Sequence, residues 1–393
     1  MHSFTYYSPT EIIFGKDSLE KLGDQIQKFQ PSKVLVVYGS DRILNNGLYE
    51  KISSQILERG MEAVRFGGVK PNPTLEHAYE GIELAKEAKV DFILAVGGGS
   101  VIDTAKAIAH GCANPDVDIW DFWLGKKKVE KTMPIGVVLT IPAAGSESSN
   151  SAVLTDTSKP VKIGLSTDFN RPKFAIMDPT LTYSLPKYQI GCGVTDIMMH
   201  TLDRYFNPMD NELTDAIAEA LLRTVIHYGS IAIENSSDYE AMSEIMWAGS
   251  ISHNGLTGLG GVNDFAPHQL GHEISAKFDF AHGASLAAIW GSWAGYVYKE
   301  RPERFARYGR NVWGICEEDD QKAALAAIEK TVAYFKSLGM PTCLSEGKGI
   351  GCQSEEVIRD MANRCSRNGA RTIGSFKVLK TEDMYEIYKA ANH

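Results

Sequence analysis

The 393-residue sequence lacks the features that mark secreted and membrane-spanning proteins. Its first residues, MHSFTYYSPTEIIFGKDSLEKL, contain no basic segment followed by an apolar stretch, so we expect no signal peptide. The longest apolar run without charge, residues 283–298, is short and interrupted by Gly and Ser, which predicts a buried helix rather than a membrane span. The six cysteines include no C-x-x-C pair, and scattered thiols of this kind favour a reducing cytoplasm.

A surplus of basic residues is also absent. The chain has 40 Lys and Arg against 49 Asp and Glu, a net charge of −9, and no run of more than three basic residues, so we expect no nucleic-acid partner. Apolar residues at 44% and charged residues at 23% are typical of a soluble globular protein, and the length predicts two domains. A local site for one small phosphate compound is compatible with this net charge.

Two different periodic patterns divide the chain. The first half alternates apolar, β-branched runs with segments of helical spacing, which predicts parallel strands joined by crossover helices in a Rossmann-like α/β domain. The second half contains long segments of helical spacing with few β-branched runs, which predicts an all-α domain. We place the two domains at residues 1–186 and 187–393. The predicted strands are 33–38, 63–66, 90–96 and 137–141, and the predicted early helices are 48–59, 74–86 and 101–110.

A glycine cluster follows the third predicted strand. Gly97, Gly98, Gly99 and Ser100 lie between that strand and a helix, where free amide groups and missing Cβ atoms suit a phosphate or pyrophosphate. A tight structural turn would give the same pattern, and the G-x-G-x-x-G fingerprint is not present. Asp103 falls in the first helical turn, so it is either a cofactor contact or a carboxylate favoured by the helix dipole.

Histidines cluster in the second half. His268 and His272 are spaced to share one helix face, and His282 follows shortly after. Asp196 and His200 have the same four-residue spacing. A single buried histidine is more often a hydrogen-bonded helix residue, but three imidazoles and a carboxylate from two helices favour a divalent transition metal.

Two local details belong to this histidine pattern. Thr195 directly precedes Asp196 and is a plausible N-cap for the helix that carries it. His272-Glu273 is not part of an H-E-x-x-H motif, because Ala276 occupies the second histidine position, so a metalloprotease is disfavoured.

A phosphate-binding half and a metal-binding half together favour hydride transfer between a nucleotide cofactor and a metal-bound substrate. A nucleotide-binding protein with a structural metal is the non-enzymatic alternative.

Seven segments, in order along the chain, resemble the iron-containing (type III) alcohol dehydrogenases, particularly the butanol-dehydrogenase-like aldehyde reductases. The resemblance implies a dehydroquinate-synthase-like fold with an α/β cofactor domain and a helical metal domain. It also implies hydride transfer between NAD(P)(H) and a short-chain alcohol or aldehyde, in a cytoplasmic homodimer. The segments are PTEIIFGKDSLEKLG, FGGVKPNPT, VGGGSVIDTAKAIA, IPAAGSESSNSAVLTD, DPTLTYSLP, GVTDIMMHTLDRY and PHQLGHEISAKFDFAHG.

The resemblance also implies individual site residues. One Fe²⁺ or Zn²⁺ would be held by Asp196, His200, His268 and His282, with His272 beside it as a proposed proton relay. Contacts to the cofactor phosphates fall on Gly97, Gly98, Ser100 and Asp103, and contacts to its nicotinamide half fall on Thr140, Ser149 and Lys162. The candidates for the substrate pocket are Asn150, Val153, Asn254 and Phe265.

The choice of nicotinamide cofactor depends on the end of the first predicted strand. Relatives that prefer NAD often carry an Asp there, which accepts a hydrogen bond from the ribose 2′-hydroxyl. Gly39 and Ser40 occupy this position, which favours NADP(H) over NAD(H), and Arg42 adds a positive charge. Asp41 is adjacent and argues in the other direction, so both cofactors stay open.

Two related enzyme classes remain as alternatives. A polyol dehydrogenase of the glycerol dehydrogenase kind would catalyse the same type of reaction. A dehydroquinate-synthase-like lyase would hold its metal with a Glu and two His and surround a phosphorylated substrate with basic residues. Here Asp196 is the first ligand, and residues 254–280 contain one Lys and no Arg, which disfavours the lyase.

Overall fold

The computed structural model describes residues 2–159 and 161–393. The chain divides into two compact units. One comprises Tyr7–Ser184, called the sheet unit here, and the other comprises Leu185–His393 with residues 2–6, called the helical unit. The predicted fold class is confirmed, because a parallel sheet with helices occupies the first unit and helices dominate the second.

The sheet unit contains a six-stranded parallel sheet and a separate antiparallel pair. The order of the parallel sheet is β1-β8-β5-β4-β2-β3, and β6 pairs with β7. β2 (KVLVVY) and β4 (FILAVG) are buried almost throughout, as expected for central parallel strands covered on both faces. The strands are β1 Glu11–Phe14, β2 Lys33–Tyr38, β3 Glu62–Phe66, β4 Phe92–Gly97, β5 Ile135–Leu139, β6 Ser151–Asp156, β7 Val161–Ser166 and β8 Phe174–Met177.

Short helices connect these strands and cover the sheet. Phe92 and Phe174 stack within the core at 6.1 Å between ring centroids, and Leu22, Ile26 and Ile56 pack into the same buried cluster. The helices of this unit are α1 Leu22–Gln27, α2 Arg42–Asn45, α3 Leu48–Leu57, α4 Leu75–Ala88, α5 Gly99–Ala113 and α6 Ile119–Trp123.

The helical unit packs around an aromatic core. Phe206 lies at its centre, stacked on Phe305 at 4.1 Å and in edge contact with Trp293, Tyr308 and Phe376. The helices are α7 Lys187–Tyr205, α8 Glu212–Glu234, α9 Tyr239–His253, α10 Ala266–Phe278, α11 His282–Val297, α12 Pro302–Trp313, α13 Asp320–Ser337, α14 Glu355–Cys365 and α15 Thr381–Ala390.

Helix α8 is long and apolar enough to cross a membrane by length and composition alone, with a mean hydropathy of 1.3 in its most apolar window. Its buried face, however, carries charged residues. The carboxylate of Asp215 accepts a hydrogen bond from Arg304 at 2.6 Å, and that of Glu219 accepts one from Arg307 at 2.8 Å. Buried, paired charges of this kind are typical of a core helix in a globular unit.

The structure corrects one detail of the predicted helices. Thr195 is not an N-cap, because α7 begins at Lys187 and Thr195 is fully buried inside it. The helix therefore starts eight residues before the predicted cap and includes Gly191 and Gly193. Gly191 is required by packing, since a Cβ atom there would lie 2.6 Å from the carbonyl oxygen of Leu338.

Candidate active site

A glycine turn joins β4 to α5 in the sheet unit. Gly98 precedes α5 with an extended φ of −100°, and no side chain caps the helix. A Cβ atom on Gly98 would lie 2.8 Å from Cβ of Ile141, and one on Gly97 would lie 2.5 Å from Cγ2 of Val101. Ser100 is half-buried in the first turn of the helix. An uncapped helix N-terminus approached through glycines is suited to bind phosphate.

Three predicted cofactor positions share one edge of the parallel sheet. Gly39, Gly98 and Thr140 follow the carboxyl ends of the neighbouring strands β2, β4 and β5. The amide of Thr140 donates to the carbonyl of Gly97 at 3.1 Å, which holds two of these ends together. Strand β3 lies on one side of β2, and the chain then returns to form β4 on the other side. The carboxyl ends of β2 and β4 are therefore a topological switch point, which is where α/β proteins bind dinucleotides.

Asp103 and Lys106 fasten the loop after β5 to α5. The Oδ1 atom of Asp103 accepts from Oγ of Ser146 at 2.6 Å, and its Oδ2 atom accepts from the amide of Val153 at 2.8 Å. Lys106 donates to Oγ and the carbonyl of Ser146 and to the carbonyl of Ser151, all within 2.8 Å. Burial lowers the pKa of Lys106 to about 8. The sequence analysis did not predict that Asp103 and Lys106 hold the loop after β5.

The remaining predicted cofactor residues lie around the β6–β7 pair or at the end of β2. The Oγ atom of Ser149 accepts from the amide of Ser151 at 3.2 Å, and Nζ of Lys162 donates to Asn72 at 2.9 Å. Ser40 is exposed directly after Gly39. Two of the pocket candidates also lie in the sheet unit, at and just before the start of β6: Asn150 and Val153.

One carboxylate oxygen and three imidazole nitrogens converge in the helical unit. The Oδ1 atom of Asp196 lies 3.5 to 3.8 Å from the Nε2 atoms of His200, His268 and His282. These residues come from three helices, α7, α10 and α11. Ligands bound about 2.1 Å from a tetrahedral Zn²⁺ lie about 3.4 Å from one another, so the observed separations are close to those of a shared divalent cation.

The burial of this cluster favours a cation as its partner. Asp196, His200 and His268 are at most 5% exposed. Among the residues that the structure describes, no hydrogen-bonding group meets Oδ1 of Asp196 or Nε2 of His268. Buried polar atoms without partners are costly, and a divalent cation would satisfy both. Imidazole and carboxylate are ligands that Fe²⁺ and Zn²⁺ accept, so the donor set fits the implied metal.

Asp203 lies behind His268 and was not predicted from the sequence. Its Oδ2 atom contacts Nδ1 of His268 at 2.6 Å, and the residue is fully buried. Burial lowers the pKa of His268, but the carboxylates of Asp203 and Asp196 outweigh this and raise it to about 9. A carboxylate at Nδ1 fixes the ring so that Nε2 is directed toward Asp196, as is usual for metal-binding histidines.

Phe265 and Arg204 pack against the histidines. Phe265 adopts a left-handed conformation with φ 53°, which is uncommon for a bulky residue, and its ring lies 5.2 Å from that of His268. The guanidinium of Arg204 lies 4.8 Å from the Phe265 ring and donates to the carbonyl of His200 at 2.6 Å. The pocket candidate Phe265 is therefore beside the cluster, whereas Asn254 caps the end of α9.

Helices α7 and α11 meet at Gly283, the residue after His282. A Cβ atom on Gly283 would lie 2.1 Å from the carbonyl oxygen of Cys192, far inside van der Waals contact. Only glycine therefore allows α11 to approach the backbone of α7 at this point. The contact places His282 at the start of α11 within 3.7 Å of Asp196.

His272 lies next to the cluster on α10. Its ring centroid is 6.4 Å from that of His268 and 5.4 Å from that of His282, and the residue is 9% exposed. It therefore lies beside the four converging groups without being one of them. This position would allow it to exchange a proton with a substrate held at the cluster.

Known proteins match this chain over nearly its whole length. Residues 9–179 match the family model for iron-containing alcohol dehydrogenase, and residues 191–392 match that for the C-terminal part of the Fe-containing alcohol dehydrogenase family. NADH-dependent butanol dehydrogenase A of Clostridium acetobutylicum is 41% identical over 99% of each chain. NADPH-dependent aldehyde reductase YqhD of Escherichia coli is 34% identical over 100% of each chain. The crystal structure of NADH-dependent butanol dehydrogenase A from Thermotoga maritima is 36% identical, covers 100% of this chain and 99% of its own, and has a TM-score of 0.95.

The chain belongs to the iron-containing alcohol dehydrogenase family. The resemblance predicted from the seven sequence segments is thus confirmed. The protein is an oxidoreductase of the alcohol dehydrogenase and aldehyde reductase class, a family that works with a nicotinamide cofactor and a divalent metal.

Proposed function

We propose that this enzyme interconverts short-chain aldehydes and alcohols with a nicotinamide cofactor and one Fe²⁺ or Zn²⁺. The observation that carries the proposal is the convergence of three Nε2 atoms on Oδ1 of Asp196, which makes a site for a Lewis-acidic cation. The names of the relatives, two butanol dehydrogenases and an aldehyde reductase, support a short-chain substrate.

The residues of the chain take separate roles in this reaction. When bound, the cation polarises the substrate oxygen and the nicotinamide ring gives or takes the hydride. Asp203 would keep a proton on Nδ1 of His268, so Nε2 is the nitrogen that would give up its proton and bind the cation. His272 would pass a proton to or from the substrate oxygen. The four residues proposed to hold the cation are Asp196, His200, His268 and His282.

We assign the cofactor to residues 1–186 and the metal to residues 187–393, and we propose a preference for NADP(H). Gly39 places no carboxylate after β2 to accept from a ribose 2′-hydroxyl, and Ser40 is exposed beside it. The relatives differ in their named cofactor, so kcat/KM must be compared directly for NADPH and NADH. A tenfold preference for NADH would contradict the proposal.

The central test is an activity panel on the purified enzyme after reconstitution with Fe²⁺ or Zn²⁺. Butanal and other short aldehydes, and the corresponding alcohols, are assayed with both cofactors. His268→Ala should lose metal and activity together, whereas His227→Ala, an exposed control on α8, should lose neither. Full activity in the metal-free enzyme, or a full metal content in His268→Ala, would rule out the proposed site.

The role of His272 is tested separately. His272→Ala should keep its metal content and its cofactor affinity while turnover slows, because the residue lies beside the cluster and not in it. The dependence of kcat on pH should change as well, since a proton-transfer group is lost. Unchanged kcat across pH would exclude His272 from the mechanism.

We also propose a cytoplasmic homodimer. In the described part of the chain β1 is an edge strand, and the aromatic residues Phe4, Tyr6 and Tyr7 that precede it are more than 40% exposed. An exposed edge next to exposed aromatic residues is suited to pair with a second copy. Light scattering should give twice the mass of one chain, and a monomeric mass would contradict the dimer.

A further inference from the structure

The two buried imidazoles beside Asp196, those of His200 and His268, are oriented by different means. Nδ1 of His268 is fixed by the carboxylate of Asp203 at 2.6 Å. Nδ1 of His200 is closed to solvent, and no hydrogen-bonding group of the described residues reaches it. A metal-binding histidine is usually oriented by a hydrogen bond at its second nitrogen. The orientation of His200 therefore depends on contacts with the faces and edges of its ring.

One of these contacts is a stacked histidine at the end of α9. The ring of His253 lies 3.9 Å from that of His200, between ring centroids, with an angle of 26° between the two planes. The other rings near His200 are more inclined, His268 at 38° and Phe265 at 63°. His253 thus makes the flattest contact on the ring, and a flat neighbour limits rotation of the imidazole about its χ2 bond.

The stacked ring has a structural origin in the packing of α9. His253 is the last residue of α9, and Asn254 ends the helix with its amide bonded to the carbonyl of Ser250 at 2.9 Å. The side chain of Asn254 accepts from the amide of Leu256 at 3.0 Å, so the chain turns directly after the helix. This turn fixes the helix end, and with it the base of the His253 side chain.

We propose that His253 is a positioning residue that holds the His200 ring by stacking and thereby raises the affinity of the cluster for its divalent cation. The inference rests on the proposed metal site. It assigns His253 no direct bond to the cation. Phenylalanine has a flat ring but no nitrogen ligand, so His253→Phe should preserve the cation affinity of the cluster. Leucine has similar bulk but no ring, so His253→Leu should lower that affinity.

The experiment titrates the metal-free protein with Co²⁺, and follows the visible absorption of the bound ion and competition with a chelator. His253→Phe should keep the dissociation constant and the spectrum of the unchanged protein. His253→Leu should bind Co²⁺ more weakly, by roughly three- to tenfold as expected for the loss of one aromatic pair, with an altered absorption band. His227→Leu, on the exposed face of α8, is the matched control and should change neither quantity.

The outcomes separate this inference from the proposed function. If the unchanged protein binds no Co²⁺, the metal site itself is wrong and the inference fails with it. If the unchanged protein binds Co²⁺ and His253→Leu binds it equally well with the same spectrum, only the inference is overturned. Loss of binding in His253→Phe would identify His253 as a ligand and would also overturn it. The Phe variant keeps the test decisive should the Leu variant fail to fold.

Discussion

The carboxylate of Asp203 should determine how strongly His268 binds a cation. Asp203→Asn keeps a hydrogen-bonding side chain at Nδ1 but removes the negative charge that makes the imidazole a better ligand. We expect the dissociation constant for Zn²⁺ to rise about 10- to 100-fold, the usual cost of losing such a partner, as measured by chelator competition. Asp210→Asn, an exposed control, should bind as before. Equal affinities in both variants would remove Asp203 from the site.

The spacing of residues on α7 could have predicted Asp203 beforehand. Asp196, His200 and Asp203 are separated by four and then three residues, the interval that keeps side chains on one helix face. The histidine spacing predicted a metal site in this part of the chain, and the family resemblance implied which four residues form it. A lone Asp in a helix has many ordinary explanations, and only the fold brings Asp203 to His268.

A buried histidine in the sheet unit should make stability depend on pH. His110 contacts Thr132 at 3.0 Å through Nδ1 and Asn170 at 2.8 Å through Nε2, and burial lowers its pKa to about 4. The unfolded chain takes up this proton near pH 6.5 while the folded chain does not, so stability falls as the pH drops from 6.5 toward 4.

The size of this effect can be measured with a variant. Between pH 7 and pH 5 the His110 contribution amounts to about 2 kcal/mol of unfolding free energy. His110→Gln should be less stable at pH 7 but should lose less stability over that interval, as determined by urea unfolding at both values. An equal loss in the variant and the unchanged protein would show that His110 does not titrate in this way.

At the scale of elements, the junction of β4 and α5 should tolerate no side chain. Gly98→Ala would place a Cβ atom 2.8 Å from Cβ of Ile141 and would displace the turn that we propose binds the cofactor phosphates. We expect at least a tenfold weaker binding of the reduced cofactor, by its fluorescence, with metal affinity unchanged. The control is Gly295→Ala on α11, where a Cβ atom meets nothing within 4 Å and should leave cofactor binding intact. Cofactor binding by Gly98→Ala at the original affinity would contradict the assignment.

The buried ammonium of Lys106 should hold the loop after β5 in place. Its three donors match the three oxygens of Ser146 and Ser151 around it. Lys106→Met would remove a charged hydrogen-bond donor from each of these oxygens, at a cost of about 3 kcal/mol of unfolding free energy, and should also weaken cofactor binding. Lys86→Met, which removes an exposed lysine from α4, is the control for urea unfolding and cofactor titration. A stable Lys106→Met with full cofactor affinity would contradict this role.

The main elements were predictable where apolar patterns were strong, as in β2, β4 and α8. The predictions failed where packing overrides local preference. Thr195 was predicted to cap α7, yet the helix begins at Lys187 and includes Gly191, where packing against Leu338 leaves no room for a side chain. The strands β6 and β7 were not predicted either, since only four of their twelve residues are buried and β7 has no buried residue at all. Their pairing depends on partners that local sequence does not reveal.

At the scale of the whole molecule, a cation held by three helices should stabilise the folded chain. A ligand that binds only the folded state at 1,000 times its dissociation constant contributes about 4 kcal/mol. We expect calorimetry to give a Tm about 5 °C higher for the Zn²⁺-loaded protein than for the metal-free one. His268→Ala should lose this difference and His227→Ala should keep it. An identical Tm with and without metal would argue that no cation joins the helices.

The close contact at Gly283 has a consequence for how the enzyme acquires its metal in the cell. Because backbone meets backbone there, α7 and α11 cannot move closer together at this point, and the site cannot shrink around a smaller ion by that route. Ca²⁺, which prefers six to eight oxygen ligands, is disfavoured by the imidazoles proposed to hold the cation. Fe²⁺ and Zn²⁺ both accept such ligands, so we expect the proposed site to take whichever of the two ions the cell supplies.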